Sequence, residues 1–352
     1  MPDEVKQTRS YNENMEYRRL GKTGLWISAV SIGGHWKKIG HRYGSDEFEK
    51  NRREVLAACT GGAVSSGYAI AIMTVIFVIY GVAGGLAAAI VTEEIARASS
   101  SLRVQVNMQA LGCAYTIETY GSEELKQKYL PPVAEGKMLS SGAFTEPGHG
   151  SDITSLDTAA VREGDEWVIN GTKTFITNGG LAGFYSVMCQ TDPACQPSYK
   201  GISLILVEAE QKGVTATDVG DKMGIHMMST AEVNYKDVRV PAANLIGEEG
   251  KGFYQVLEFF DESRILVAAQ ALGTAQGAFN RALAYVKERE QFGRKIAQFQ
   301  ATQHKLADMA TKIELSRLIT YKAAWNYDQG RIDPKLTSMA KMYAARTAVE
   351  VA

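Results

Sequence analysis

Four cysteines and five histidines are the first side chains to test for chemistry in this chain of 352 residues. Cys59, Cys113, Cys189 and Cys195 are scattered. None forms a CxxC pair and no histidine falls at ligand spacing, so no metal site is expected. Free thiols suit a reducing compartment, which points to the cytoplasm. The other reactive residues have plain readings when taken singly. Thr145 and Thr177 are threonines in strand-like runs, and Phe175 is a core aromatic. Arg103, in TEEIARASSSLRVQVN, reads as a surface arginine on a helix, and Lys287-Glu288-Arg289-Glu290 as a solvated helix face. In FDESR, Asp261, Glu262, Ser263 and Arg264 are consecutive. Neighbours on a helix point about 100° apart, so they cannot all serve one site.

The elements that would position these residues follow from pattern and composition. With 38 basic and 39 acidic residues the net charge is -1. That excludes a basic face for nucleic acid. The N-terminus is too polar for a secretory signal. Val55 to Thr92 carries no charge, and Gly67 to Val91 is long and apolar enough to cross a bilayer, which needs roughly 20 residues. Gly81, Gly84 and Gly85 interrupt it, and Leu86 to Arg97 also fits a buried helix.

Leu25, Ile27, Ala29 and Ser31 alternate as in a strand, and Phe48 to Cys59 has helical composition. Residues 87–138 read as helices. Ser122 caps EELKQKYL, and Pro131-Pro132 is expected to stop it. A hairpin is expected around Glu163-Gly164-Asp165, with further strands at Tyr185–Thr191, Ile202–Glu208 and Ala231–Val240. Short, closely spaced strands predict a sandwich or small barrel. Residues 250–352 predict long helices, one with an apolar face at Leu306, Met309, Ala310 and Ile313, ended by Gly330. The fold class is therefore α+β: a helical N-terminal part, a central β-barrel or sandwich and a C-terminal helical bundle. No βαβ alternation supports a Rossmann domain.

Five stretches give this order a family likeness: AIVTEEIARASSSLRVQVN, YGSEELKQKYLPPVAEGKMLSSGAFTEPGHGSD, NGTKTFITNGG, KMGIHMMSTAEVNYKDVRVPAANLIGEEGKGF and KEREQFGRKIAQFQATQHKLADMA. From about Gly84 to Ala352 the chain resembles the acyl-CoA dehydrogenases. The resemblance implies FAD, an acyl-CoA substrate, an electron-transfer flavoprotein as acceptor, and a homo-oligomer, usually a dimer of dimers. It implies that Phe144 and Thr145 line the flavin, that the Thr177 hydroxyl lies near N5, and that Phe175 packs on the ring. Ser151 matches a residue near the CoA phosphate arm. Arg289, Gln291, Phe292 and Gln300 match residues that reach the FAD of a neighbouring subunit, with Arg289 on its pyrophosphate. Arg264 falls in the substrate-binding set. Arg103 matches the arginine that glutaryl-CoA dehydrogenases pair with the substrate's distal carboxylate.

The same resemblance sets expectations about what differs. The usual catalytic glutamate lies late in the family's chain, beyond the segment that matches Ala352, so the chain reads as C-terminally truncated. Relatives that carry the base on the FDESR helix have it where this chain has Ser263, and Glu262 and Asp261 are off that face. Residues 16–60 resemble the opening of an aldo-keto reductase, without that family's catalytic residues. The expected division is a reductase-like fragment at 1–60, an apolar junction at 61–83, a partial helical domain at 84–138, a flavin-binding β-domain at 139–248 and a C-terminal helical domain at 249–352. The alternatives are a non-catalytic protein that holds FAD or acyl-CoA, and a fragment anchored in a membrane by residues 67–91.

Overall fold

The computed structural model describes residues 85–104, 113–220 and 222–352, and the backbone of 17–19 and 26–28. The latter six form a hairpin of β1 (Tyr17–Arg19) and β2 (Trp26–Ser28), paired antiparallel. The expected helix at 48–59, the junction at 61–83 and most of the reductase-like fragment lie outside the described residues. So does the first part of the apolar run, up to residue 84. The hairpin belongs to one compact unit, and everything below, apart from the last residue of one helix, belongs to a second, within residues 76–133 and 138–352.

Helix α1 spans 85–98, with one further helical turn at 100–104. Its start is capped by Asp328, whose carboxylate accepts from the Gly85 and Leu86 amides at 2.5 and 3.0 Å. Ala88 and Ala89 are buried in a cluster with Leu266, Ala269 and Ala324, so the later part of the apolar run packs inside a bundle. No described helix is long and apolar enough to cross a membrane.

Helix α2 (Cys113–Tyr120) precedes α3 (Glu123–Ala134). Ser122 caps α3 as its sequence predicts, its hydroxyl accepting from the Leu125 amide at 3.3 Å. The prolines do not end this helix. It runs past Pro131 and Pro132 to Ala134. A proline removes its own N–H but leaves helical dihedrals open to the residues after it, and Val133 is anchored in the core.

The β-region is a seven-stranded sheet of β3 (Ser140–Ala143), β4 (Ala159–Glu163), β5 (Glu166–Thr177), β6 (Phe184–Gln190), β7 (Ile202–Glu208), β8 (Val214–Asp218) and β9 (Thr230–Pro241). The order is β3-β6-β4-β5-β9-β8, with β7 also on β6. The β4–β5 hairpin turns at Gly164, whose φ of 62° suits glycine. β3 and β8 carry no alternation long enough to read and were not expected.

Strands β6 and β7 are buried on both faces, which explains why they are mostly apolar, with Ser186 and Ser203 as the buried exceptions. Tyr185, Val187, Ile205 and Val207 join Trp167, Ile169 and Val233 in one core. Phe184, Met188, Leu204 and Leu206 face the other way, onto Ile117, Leu125 and Tyr129 of α2 and α3 and Val256 beyond the sheet.

Three helices close the chain: α4 (Gly252–Glu288), α5 (Gln300–Asp328) and α6 (Pro334–Val351). Between α4 and α5 lies a short hairpin of β10 (Glu290–Gln291) and β11 (Arg294–Lys295). Gly330, with φ of 69°, follows the end of α5. Asp333 caps α6, accepting from the Lys335 and Leu336 amides at 3.0 and 3.2 Å, with Pro334 at the first helical position.

Helix α1 is tied to α4 and α5 by a buried carboxylate. Glu93 accepts from Arg317 Nη2 at 2.8 Å and Tyr321 Oη at 2.6 Å, and Arg317 also reaches Gln276 of α4 at 2.7 Å. Where α1 crosses α4 the backbones touch. A Cβ at Gly273 would collide with the Glu93 carbonyl oxygen, and one at Gly277 would sit 2.5 Å from the Arg97 carbonyl. Both obstacles are backbone, so neither can rotate away. Gly273→Ala is expected to cost about 1–3 kcal/mol in chemical denaturation, the range for overpacking. Gly224→Ala, where a Cβ meets nothing within 4 Å, should cost nothing measurable. Equal stability of the two variants would refute the close crossing.

Candidate active site

Strand β5 changes partner at the residues expected to hold the flavin. Its ladder with β9 runs from Glu166 to Lys173, then shifts register and resumes at Ile176 and Thr177. In the gap the Thr174 amide donates to the Thr145 carbonyl at 2.8 Å. Phe175 takes a φ of 55° and is 69% exposed. A left-handed backbone is costly for a bulky residue. Here it turns an apolar ring out of the sheet, where a flat partner could stack. Thr145 and Thr177 are both half-buried. Neither hydroxyl is used within the described structure. Small hydroxyl groups with unused hydrogen-bonding capacity, beside an exposed aromatic wall, fit the edge and face of an isoalloxazine ring.

The segment carrying Phe144 and Thr145 is fixed to β5 by three further contacts. Lys173 Nζ, fully buried, donates to the Phe144 carbonyl at 3.0 Å and to Glu146 Oε1 at 2.8 Å. The Glu146 carboxylate also accepts from the Asp157 and Thr158 amides at 2.7 and 2.9 Å. Burial alone would raise the Glu146 pKa. The Lys173 charge and the hydrogen bonds outweigh it and hold the carboxyl below its ordinary range. At the far end of the bulge, Ser141 Oγ donates to the Thr177 carbonyl at 2.5 Å. Glu146, His149 and Asp157 bring ligand atoms within 4.8 Å of one another, but the charge of Glu146 is already met by Lys173.

Phe144 reaches α4. Its ring packs edge-on to Phe259 and Phe260, each with centroids 6.2 Å apart, and Tyr115 of α2 packs on Phe259. Phe260, Ser263, Val267, Gln270 and Thr274 recur at helical spacing along α4 and are all half-buried. At the far end of this stripe Gln270 accepts a hydrogen bond from Arg103, and Thr274 bonds Ser100. Arg103 is 2% exposed, so the surface reading of it is wrong. Ser263 and Gln270 are seven residues apart, hence on one face and about 10 Å apart.

Glu262 points elsewhere. It is buried and interacts with the Tyr115 and Tyr327 hydroxyls. Burial first, and then the Glu262 charge, push Tyr115 up to about 12. Arg264 is tied to Asp261 and lies 6.0 Å from the Phe260 ring centroid. The Ser263 hydroxyl donates only to the Phe260 carbonyl, at 3.3 Å.

The remaining expected residues do not join this group. Ser151 is exposed on a loop. Arg289, Gln291, Phe292 and Gln300 are exposed at the β10–β11 hairpin and the start of α5. A left-handed Phe292, φ 54°, followed by Gly293, φ 75°, makes the tight turn. It leaves the Phe292 ring 93% exposed.

Sequence reasoning missed Glu146, Lys173, Ser141 and Gln270. The first three lie within quoted motifs, but a charged residue or a serine carries no mark of burial in sequence. Cys113, Cys189 and Cys195 are free thiols.

Comparison with known proteins bears on the fold as a whole. Family models for the N-terminal, middle and C-terminal domains of acyl-CoA dehydrogenases match residues 57–137, 141–238 and 250–352. The first begins well before Gly84, where the resemblance was expected to start. The chain is 43% identical over 274 residues to the short-chain-specific acyl-CoA dehydrogenase of Clostridium acetobutylicum, covering 77% of this chain and 72% of that protein. It is 42% identical over 266 residues to a glutaryl-CoA dehydrogenase of Desulfococcus multivorans, covering 76% and 68%. A glutaryl-CoA dehydrogenase from Mycobacterium smegmatis in complex with FADH2 superimposes with a TM-score of 0.75 at 27% identity, covering 87% of this chain and 85% of that one. The helical, β and helical order and the matches along most of the sequence lead to one assignment: the chain belongs to the FAD-dependent acyl-CoA dehydrogenase family.

Proposed function

We propose that this protein removes hydrogen across the α,β bond of a short dicarboxylic acyl-CoA, glutaryl-CoA being the type compound. The observation that carries the substrate class is the burial of Arg103 at the end of the half-buried α4 stripe that begins at Phe260. Taking a guanidinium out of water is unfavourable unless an anion or other strong acceptors meet it. A distal carboxylate at that end would leave the thioester near Ser263 and the flavin-lining strands. Bound FAD supplies the hydride acceptor. Thr145 and Thr177 would bond the ring's polar edge, and Phe175 would shield its face from water. Ser151 would meet the CoA phosphate arm, and Arg264 would help hold the substrate.

The carboxylate that takes the α-proton is not on the α4 stripe, where Ser263 stands. Glu262 is engaged with two tyrosines on another face. Position 263 nonetheless faces the site, because it is three and four residues after the two rings that touch Phe144.

We also infer a homo-oligomer, a dimer of dimers, in which the β10–β11 hairpin reaches a neighbour's FAD. Its support is the exposed Phe292 with Arg289, Gln291 and Gln300 around it. Exposed apolar residues also recur on the last helices, Leu315, Leu318 and Trp325 on α5 and Met339, Met342 and Val349 on α6. Electrons would pass to an electron-transfer flavoprotein, in the cytoplasm, where the three described thiols would stay reduced. The flavin-binding β-domain would be residues 139–248, carrying the sheet, and the C-terminal helical domain residues 249–352, carrying α4–α6. Residues 16–60 would stand apart from this activity, as a fragment resembling the opening of an aldo-keto reductase.

Two measurements test the reading. Anaerobic mixing of FAD-loaded protein with glutaryl-CoA and with butyryl-CoA should bleach the flavin, and Arg103→Met should lose at least about tenfold in kcat/KM for glutaryl-CoA while butyryl-CoA changes little. Equal losses for both substrates would remove the dicarboxylate assignment. Ser263→Glu should accelerate flavin reduction by about 100-fold, the scale of general-base catalysis. Flavin that binds but is not bleached by any acyl-CoA, with or without that substitution, would instead favour a non-catalytic binding protein.

A further inference from the structure

The Lys173–Glu146 pair is fully buried, and buried ion pairs give little net stability compared with apolar residues of similar volume. What this pair does geometrically is more specific. The two halves of the flavin surface, Phe144–Thr145 and Phe175–Thr177, come from segments that share no strand ladder. They meet only where β5 has left β9. Lys173 is the last β5 residue paired before the bulge, opposite Val233. From there its ammonium reaches both the Phe144 carbonyl and Glu146. Glu146 in turn is held by the Asp157 and Thr158 amides at the start of β4. Ser141 fastens the other end through the Thr177 carbonyl.

We infer that Lys173 and Glu146, with Ser141, are positioning residues that lock Thr145 and Thr177 at the separation the flavin ring requires. The inference rests on the FAD-dependent reading above. The pair touches no reacting atom in this arrangement. It acts through the main chain of residues 144–146 and the bulge at 174–175. An apolar pair would fill the same volume and would not bridge to a carbonyl and two amides. The ionic pair therefore fixes, together with the single backbone bond from Thr174 to Thr145, the register between two segments that share no strand ladder.

The test separates this role from simple stability. Lys173→Met/Glu146→Gln removes both charges and keeps one carbonyl oxygen, which can accept from one of the Asp157 and Thr158 amides. The expected result is a folded protein with a melting temperature close to that of the parent, an FAD dissociation constant raised at least about tenfold, and altered visible absorbance and anisotropy of the flavin that does bind. Ser141→Ala, which deletes one small hydroxyl, should fold and weaken FAD about threefold or more with the same spectral change. If the double variant does not fold, Ser141→Ala alone decides. Folded variants that bind FAD as tightly as the parent, with the parent's flavin spectrum, overturn the positioning role. A parent protein that takes up no FAD overturns the flavin reading itself, and that outcome is distinguishable because it needs no variant.

Discussion

Between Lys173 and Ile176, strand β5 gives up its ladder with β9, and the site is built on that break. A bulge inserts residues that the partner strand cannot match, which frees their amides and re-aims their side chains. Here one freed amide goes to Thr145 and one side chain, Phe175, is turned out on a left-handed backbone. Neither is stable alone. The amide needs a carbonyl held at the right height, and the strained residue needs neighbours that leave it no alternative. The buried ammonium of Lys173 provides the first by gripping the adjacent carbonyl. Asn178, also left-handed, is buried at the strand's end, where its amide and carbonyl bond Ser229 and the Leu181–Ala182 turn.

Helix α4 carries this local geometry outward. Its Phe259 and Phe260 meet Phe144, and such edge-on ring pairs contribute roughly 0.5–1.5 kcal/mol each beyond burial. About three turns further along, the same helix meets Arg103, and beside that contact Gly273 and Gly277 let α1 approach at backbone distance. One rigid rod therefore fixes the Phe144 segment, position 263 and the buried arginine relative to one another. A site assembled on a long helix and a bulged strand is held more accurately than one assembled on loops.

Much of the fold was legible because periodicity survives burial. The mostly apolar segments expected as strands at Tyr185–Thr191 and Ile202–Glu208 proved to be strands buried on both faces, at Phe184–Gln190 and Ile202–Glu208, and the cap at Ser122 followed from its side-chain chemistry. Short elements were not legible. β3, four residues with two serines, owes its existence to parallel pairing with β6, a contact distant in sequence. Pro131-Pro132 misled because a proline forbids one hydrogen bond and not the next turn. The threonines and Phe175 could be found only through the spacing of whole motifs, since each alone is ordinary. The Lys173–Glu146 pair was hidden by the usual rule that charges lie outside. Arg103 was ambiguous for the same reason, and its burial removes only the surface reading.

The central claim is that the Thr145 and Thr177 hydroxyls, set by the bulge, hold a flavin. FAD titrated into the protein and into Thr145→Val/Thr177→Val, followed by visible absorbance, tests it most directly, because valine keeps the volume and deletes only the hydroxyls. The account predicts one FAD per chain with a perturbed spectrum in the parent, and much weaker binding in a valine pair that melts no earlier. Equal affinity in the two proteins, or no uptake by the parent, would contradict it.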